Sequence, residues 1–142
     1  MRVERFAGSP EELAGALTQL VPQLSKSNPP PSVDDVKAML ASDAITQFVA
    51  RDADEHIIGV STLAIFRVPT GLRAWIEDVI TDDAARGQGV GSALTMAMVD
   101  RARELGCVTV DLTSRPSREA ANRLYLRLGF EQRTTNVYRY GL

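Results

Sequence analysis

Between an apolar run, Trp75 to Ile80, and helical periodicity beginning at Val90 lies the segment Arg86-Gly87-Gln88-Gly89-Val90-Gly91-Ser92. A strand that passes through a glycine-rich turn into a helix constrains the fold more than any other stretch of the chain. Glycine lets such a turn take left-handed backbone angles and keeps side chains away from its N–H groups. The helix that follows contributes unpaired N–H groups and partial positive charge, which suit phosphate oxygens. The segment points to a phosphate-bearing ligand; a glycine turn that only packs helix against strand is the plain alternative.

The flanking patterns predict the rest. Arg2 to Ala7 alternates charged and apolar residues, as a strand does. Ser9-Pro10-Glu11-Glu12 reads as an N-cap, a first-turn proline and acids suited to a helix start. Leu13, Leu17, Leu20, Val21 and Leu24 form that helix's apolar stripe, and Asn28-Pro29-Pro30-Pro31 stops it. A second helix is predicted from Ser32 to Leu40. Ile45 to Ala50 and Ile57 to Phe66 read as strands joined by the polar turn Arg51 to His56. A turn near Pro69-Thr70-Gly71 leads to a third strand, Arg73 to Thr81, which completes an antiparallel meander. After the glycine segment, Val90, Leu94, Ala97, Met98, Ala102 and Leu105 repeat at helical spacing, and Gly106 ends that helix. Val108 to Leu112 follows as a strand, so strand, helix and strand imply a parallel crossover. Ser117 to Leu128 predicts a last helix closed by Gly129. Phe130 to Arg133 and Asn136 to Tyr140 predict a final hairpin.

The chain's 142 residues suit a single domain, 1–142, that buries about two-thirds of its unfolded surface. A formal charge of -2 at pH 7 argues against nucleic-acid binding through a general basic field. Fourteen of the sixteen basic residues are arginine, which keeps local anion sites open. The one cysteine, Cys107, excludes an internal disulfide and a cysteine-rich zinc site. No apolar run is long enough to span a bilayer, and Met1-Arg2-Val3-Glu4 does not begin a secretory signal. A cytoplasmic protein with no membrane partner is expected.

Two phosphate-binding motifs fail on the glycine segment. A nucleoside triphosphate loop needs Gly-Lys-Ser or Gly-Lys-Thr, and Gly91-Ser92-Ala93 has no lysine. A dinucleotide fingerprint starting at Gly87 meets Ser92 in place of its third glycine, although Asp111 mimics the ribose-binding acid. A three-stranded antiparallel meander before the turn and one crossover after it are too little for a doubly wound sheet.

Arg86-Gly87-Gln88-Gly89-Val90-Gly91 resembles the R/Q-x-x-G-x-G/A signature of the GNAT superfamily, the acetyl-CoA-dependent N-acetyltransferases. Ile76-Glu77-Asp78-Val79-Ile80-Thr81-Asp82 is similar to the strand and acidic turn that precede that signature. Leu124-Tyr125-Leu126-Arg127-Leu128-Gly129-Phe130 is similar to the family's L-Y-x-x-x-G-F segment, and the element order matches throughout. The resemblance implies a three-layer α/β (α+β) fold. Its sheet would be mixed and mostly antiparallel, with a central parallel pair splayed around acetyl-CoA. It implies an N-acetyltransferase acting by direct attack in a ternary complex. An acyl-CoA-binding sensor or partner module without turnover is the alternative, and a dinucleotide-binding domain is a further rival.

The same resemblance implies roles. Backbone N–H groups from Gly87 to Ser92, with Arg86, Gln88, Gly89, Val90 and Gly91, would hold the CoA pyrophosphate. Val79, Ile80 and Thr81 would pair with the pantetheine arm. A bulge in that strand would free an N–H for the thioester oxygen. Tyr125 would be the general acid for the CoA thiolate; packing on its helix is the plain alternative. An alkyl ammonium, with a pKa of about 10, must lose a proton before attack. Glu77 and Asp78 are the candidate bases, Glu77 preferred, on opposite faces of the strand unless a bulge intervenes. Glu77 would lie beside Trp75 and Val79, and Asp78 beside Ile76 and Ile80.

Two departures from the family pattern stand out. Arg118 replaces the usual asparagine seven residues before the tyrosine, so Arg118 or the nearby Asn122 would contact CoA. Thr113 stands where relatives that acetylate protein N-termini often carry a glutamate. Ser27, Asn28, Arg115 and Tyr138 are candidate contacts for a small-molecule or peptide amine acceptor. Many relatives are dimers, so a homodimer is an expectation. Cys107 reads as a small core residue and His56 as a solvated one, so no metal and no covalent intermediate are expected.

Overall fold

A computed structural model describes residues 1–142. The elements run β1 (Arg2–Arg5), α1 (Pro10–Leu24), α2 (Val33–Leu40), β2 (Ile45–Arg51), β3 (Ile57–Val68) and β4 (Gly71–Thr81). A 3-10 turn (Asp83–Ala85), α3 (Val90–Glu104), β5 (Thr109–Asp111) and α4 (Glu119–Arg127) follow. They divide into two compact units, Met1–Leu112 and Thr113–Leu142.

In the first unit the strands form one sheet in the order β1-β2-β3-β4-β5. The first four are antiparallel neighbours, and β4 with β5 is parallel. The mixed sheet matches expectation. Its parallel pair, however, lies at the end of the strand order rather than the centre, because no strand forms beyond β5.

The helix starts follow their capping chemistry. Ser9 Oγ accepts the Glu12 N–H at 3.2 Å. Ser32 and Asp35 form a reciprocal capping box, each side chain accepting the other's N–H. On one face of the sheet, Leu13, Leu17 and Leu20 of α1 and Val36 of α2 pack with Val49, Val60 and Ile80. Each fully buried leucine contributes about 1.5–3 kcal/mol. Strand alternation turns Gly59, the neighbour of Val60, toward the other face, and α3 covers it there. A Cβ on Gly59 would stand 2.6 Å from Val90 Cγ1, 3.1 Å from Leu94 Cδ1 and 3.1 Å from the Ile80 carbonyl oxygen. Val90, Leu94, Met98 and Ala102 are buried as their periodicity predicts, whereas Leu105, at the C-cap, is exposed.

Gly59 therefore sets how closely α3 sits on β3, and Val90 is the residue at which the glycine turn becomes helix. Gly59→Ala forces the helix start away and is expected to cost about 1–3 kcal/mol, as overpacked sites do. Urea unfolding followed by circular dichroism measures it.

In the second unit α4 ends in a Schellman motif. Gly129, at φ 95°, lets its own N–H reach the Leu126 carbonyl (3.1 Å) and the Phe130 N–H reach that of Tyr125 (3.0 Å). The anticipated hairpin over Phe130–Arg133 and Asn136–Tyr140 does not form; no strand follows β5. Thr134-Thr135 lacks the Asn-Gly type of turn chemistry, and a lone two-stranded ribbon is marginal in water. No helix is long and apolar enough to cross a membrane.

Candidate active site

From β4 the chain enters the glycine segment through the 3-10 turn, which is pinned at two points. Asp82 Oδ1 accepts the Ala84 N–H at 2.9 Å, and Gln23 Oε1, near the end of α1, accepts the Asp83 N–H at 2.8 Å. Gly87 and Gly89 then take φ of 77° and 80°, where a side chain would be strained. No atom lies within 4 Å of the position a Cβ would occupy on either. Gly89 is the N-cap of α3 and supplies no side-chain cap. Hydrogen bonds within the chain engage the N–H groups of Arg86, Gln88 and Ala93, leaving those of Gly87, Gly89, Val90, Gly91 and Ser92 unpaired. The side chains beside them stabilise the turn itself: Arg86 pairs with Asp83 at 2.6 Å, and Gln88 Nε2 donates to the Ala84 carbonyl at 3.3 Å. Clustered main-chain donors at a helix mouth, with open space before them, suit an anion.

The strand leading to this turn has a free edge. β5 pairs with β4 only from Arg73 to Trp75, whereas β3 follows β4 to Thr81 on the other side. From Ile76 to Thr81, including Val79 and Ile80, the β5 side of β4 carries no ladder. An extended chain can be added there by strand pairing.

A bulge lies within that free stretch. Thr62 pairs with Glu77 and Val60 with Ile80, so Asp78 and Val79 together oppose Ser61. Asp78 has φ of 49°, in the left-handed region that Asp and Asn tolerate better than most residues. The extra residue corrects one expectation. Ile80 packs in the α1/α2 core, while Ile76 lies opposite Leu63 on the α3 side. Asp78 is therefore not flanked by Ile76 and Ile80 on one common face.

Glu77 rises on the α1/α2 face together with Trp75, whose Nε1–H donates to Glu77 Oε1 at 2.7 Å. Beside it, Thr62 Oγ1 donates to Gln47 Oε1 at 2.8 Å, and Gln47 Nε2 donates to the Ser61 carbonyl at 2.9 Å. A groove of about 360 Å³ opens at the Gln47 end of this row, lined by Phe6, Leu40, Ile45 and Thr46 among others. Neither Glu77 nor Asp78 has a Lys or Arg salt-bridge partner. Desolvation pushes the Asp78 carboxyl above its usual range, and the Glu77 charge adds to the effect.

That shift fixes the sign of a stability effect. A carboxyl raised in the folded state binds its proton more tightly folded than unfolded, so its ionisation weakens the fold as pH rises above the unfolded value of 3.8. Asp78→Asn keeps the left-handed turn and removes the charge. It is expected to raise Tm at pH 7, with the gain shrinking as pH falls toward about 4; thermal melts across that range measure it.

In the second unit, Tyr125 lies on α4 with Phe130 against it, edge to face, at 5.8 Å between ring centres. Burial pushes its phenol above the ordinary value, with Arg118 pulling partly back. The hydroxyl thus keeps its proton through neutral pH. Asn122 Nδ2 donates to the Arg115 carbonyl at 2.9 Å and ties down the approach to α4. Arg118 is the helix N-cap residue and makes no side-chain cap.

Of the other residues singled out in the sequence, Ser27 and Asn28 belong to the first unit and Arg115 and Tyr138 to the second. Ser27 and Asn28 are exposed and bond to Ser25 in the α1–α2 connection. Arg115 and Tyr138 are exposed. Asp52, Asp54 and His56 bring their ligand atoms within 4.8 Å of one another. Asp52 Oδ1 there accepts the N–H groups of Asp54 and His56 and closes the β2–β3 turn. Gly59, Thr62 and Gln47 escaped the sequence reading: their parts depend on strand register, for which the sequence offers no local sign.

A family model described as the acetyltransferase (GNAT) family matches residues 15–130. Over 95 residues, 67% of the chain, it is 36% identical to N-alpha-acetyltransferase 30 of Schizosaccharomyces pombe, covering 63% of that protein. Over 84 residues, 58% of the chain, it is 33% identical to the L-methionine sulfoximine/L-methionine sulfone acetyltransferase of Pseudomonas aeruginosa, covering 49% of that protein. Among solved structures, a candidate acetyltransferase from Agrobacterium tumefaciens superposes with a TM-score of 0.86 at 27% identity, covering 99% of this chain and 100% of that one. The chain thus spans roughly half to under two-thirds of the length of those two curated relatives.

Proposed function

The chain belongs to the acetyltransferase (GNAT) family, and we propose that it moves an acetyl group from acetyl-CoA directly to a primary amine. The observation that carries this reading is the set of unpaired N–H groups from Gly87 to Ser92 at the start of α3. They sit one turn beyond a β4 edge that has no ladder. Those N–H groups bind the CoA diphosphate, aided by the α3 dipole. Val79, Ile80 and Thr81 pair with the pantetheine arm as with an added strand. The bulge at Asp78 turns a main-chain N–H toward the thioester oxygen and stabilises the charge that grows there.

The amine approaches over the α1/α2 face of the sheet, along the row Gln47, Thr62 and Glu77. Glu77 accepts the ammonium proton, which frees the nitrogen lone pair to form the new C–N bond. As the C–S bond breaks, the CoA sulfur takes up a proton for which Tyr125 is the candidate donor, and the second proton that the nitrogen sheds on becoming an amide passes to solvent and restores the phenol. A thiol with a pKa of about 8.5 leaves readily, so this acid assists an already competent leaving group. Asp78, close by but held toward its neutral form, complements Glu77 rather than replacing it. Arg118 and Asn122 are the candidate side-chain contacts to CoA from the second unit.

Acceptor identity is tested by CoA release from acetyl-CoA with methionine sulfoximine, glucosamine 6-phosphate and a peptide bearing a free α-amine, each supplied separately. The peptide belongs in the set because an N-alpha-acetyltransferase is among the relatives, even though Thr113 lacks the glutamate expected of that group. Release above acetyl-CoA hydrolysis with any of them is the expected result. Tight acetyl-CoA binding with no release across the set would instead favour a sensor.

A further inference from the structure

Trp75 bears the one indole of the chain, and nothing in the mechanism above uses it. It is two residues before Glu77 on β4, so both side chains rise from the same face. Its Nε1–H lies 2.7 Å from Glu77 Oε1. Both residues precede the bulge, where the register is regular: Trp75 pairs with Ala64 and Glu77 with Thr62. Ala64 is small and leaves the indole room to lie along the strand. The polar neighbours of Glu77 are already engaged with each other, Thr62 with Gln47 and Gln47 with the β3 backbone. No Lys or Arg pairs with Glu77. The indole N–H is thus the donor that the structure gives this carboxylate.

We infer that Trp75 is a positioning residue: its indole N–H holds one oxygen of Glu77 so that the other faces the incoming ammonium. A free glutamate side chain samples several rotamers, and most of them turn its oxygens away from an acceptor. A charge-assisted N–H···O bond of this length selects one of them. The inference rests on the assignment of Glu77 as the base, and the test separates the two.

Trp75→Phe keeps an aromatic ring at the site and removes the donor. Wild type, Trp75→Phe, Glu77→Gln and the double variant are compared with acetyl-CoA and whichever of the three amines above is turned over fastest. Trp75→Phe is expected to lower kcat about tenfold, as loss of orientation does, while the KM for acetyl-CoA stays unchanged. The double variant is expected to be no slower than Glu77→Gln alone, because both changes act through one group. Full kcat in Trp75→Phe alongside a slow Glu77→Gln overturns the positioning role alone. Additive losses in the double variant overturn it as well, since they mean Trp75 acts through packing. Normal turnover in Glu77→Gln overturns the base assignment and the inference with it.

A second measurement needs no acceptor. With one tryptophan in the chain, indole emission reports the bond directly. At one neutral pH the emission maximum of the wild type is expected to differ from that of Glu77→Gln, because the acceptor of the indole N–H changes. Identical spectra would mean that the indole N–H does not bond to that carboxylate.

Discussion

Glu77→Gln is expected to lower acetyl transfer about 100- to 1,000-fold at neutral pH, within the span that one general base contributes. At pH 7 an alkyl amine with a pKa of about 10 is almost wholly protonated, so the free nitrogen is present at roughly one part in a thousand. A carboxylate on the acceptor side recovers that loss; an amide of the same shape cannot take a proton. The defect is therefore predicted to shrink as pH rises toward about 10, where water has already removed the proton. A constant defect from pH 7 to 10 would mean that Glu77 positions the amine and does not deprotonate it. Acetyl-CoA affinity should be unchanged, because Glu77 faces the α1/α2 side and not the free β5-side edge of β4. Steady-state rates across pH, paired with calorimetric titration of acetyl-CoA, test both parts.

Gly89→Val is expected to weaken acetyl-CoA binding at least tenfold. Gly89 has φ of 80°, a conformation that costs an L-residue about 1–2 kcal/mol and a β-branched residue more. Relief of that strain rotates the peptide groups on either side, which carry two of the unpaired N–H groups. The new side chain also enters the space before the helix mouth. Gly106→Val provides a matched control. Gly106 sits just beyond the other end of α3 at φ of 77° and likewise has nothing within 4 Å of its Cβ position. The two variants should lose similar stability in thermal melts, and only Gly89→Val should lose affinity. Equal affinity losses would mean that general strain in α3 is responsible, not the donor cluster.

Much of the fold and of the glycine segment is legible in local sequence. The caps at Ser9 and Ser32, the apolar stripes of α1 and α3, the Asn28–Pro31 stop after α1 and Gly106 after α3 are local signals, and each element formed where its signal lay. The glycine segment was readable for the same reason, since Gly87 and Gly89 take the left-handed angles that only glycine adopts at little cost. The Leu-Tyr-x-x-x-Gly-Phe segment now has a physical basis: Gly129 turns the chain so that Phe130 closes α4 and packs on the Tyr125 ring.

Non-local features were not legible. The bulge at Asp78 arises from pairing with β3, and it decides that Ile80 joins the α1/α2 core while Ile76 faces α3. Sequence alternation alone places those two residues together. Gly59 looks like an ordinary strand glycine until α3 is laid across it. The C-terminal residues from Asn136 to Tyr140 have strand-like composition, yet composition names no partner for them, and no ladder forms.

Main-chain amides at the start of α3 are proposed to hold the diphosphate of CoA. Amide chemical-shift mapping of the 15N-labelled chain during titration with acetyl-CoA tests this. The largest shifts are predicted at Gly87, Gly89, Val90, Gly91 and Ser92, with a second group at Val79 to Thr81. Saturable shifts elsewhere, with those amides unmoved, would contradict it, as would a spectrum unchanged at millimolar acetyl-CoA.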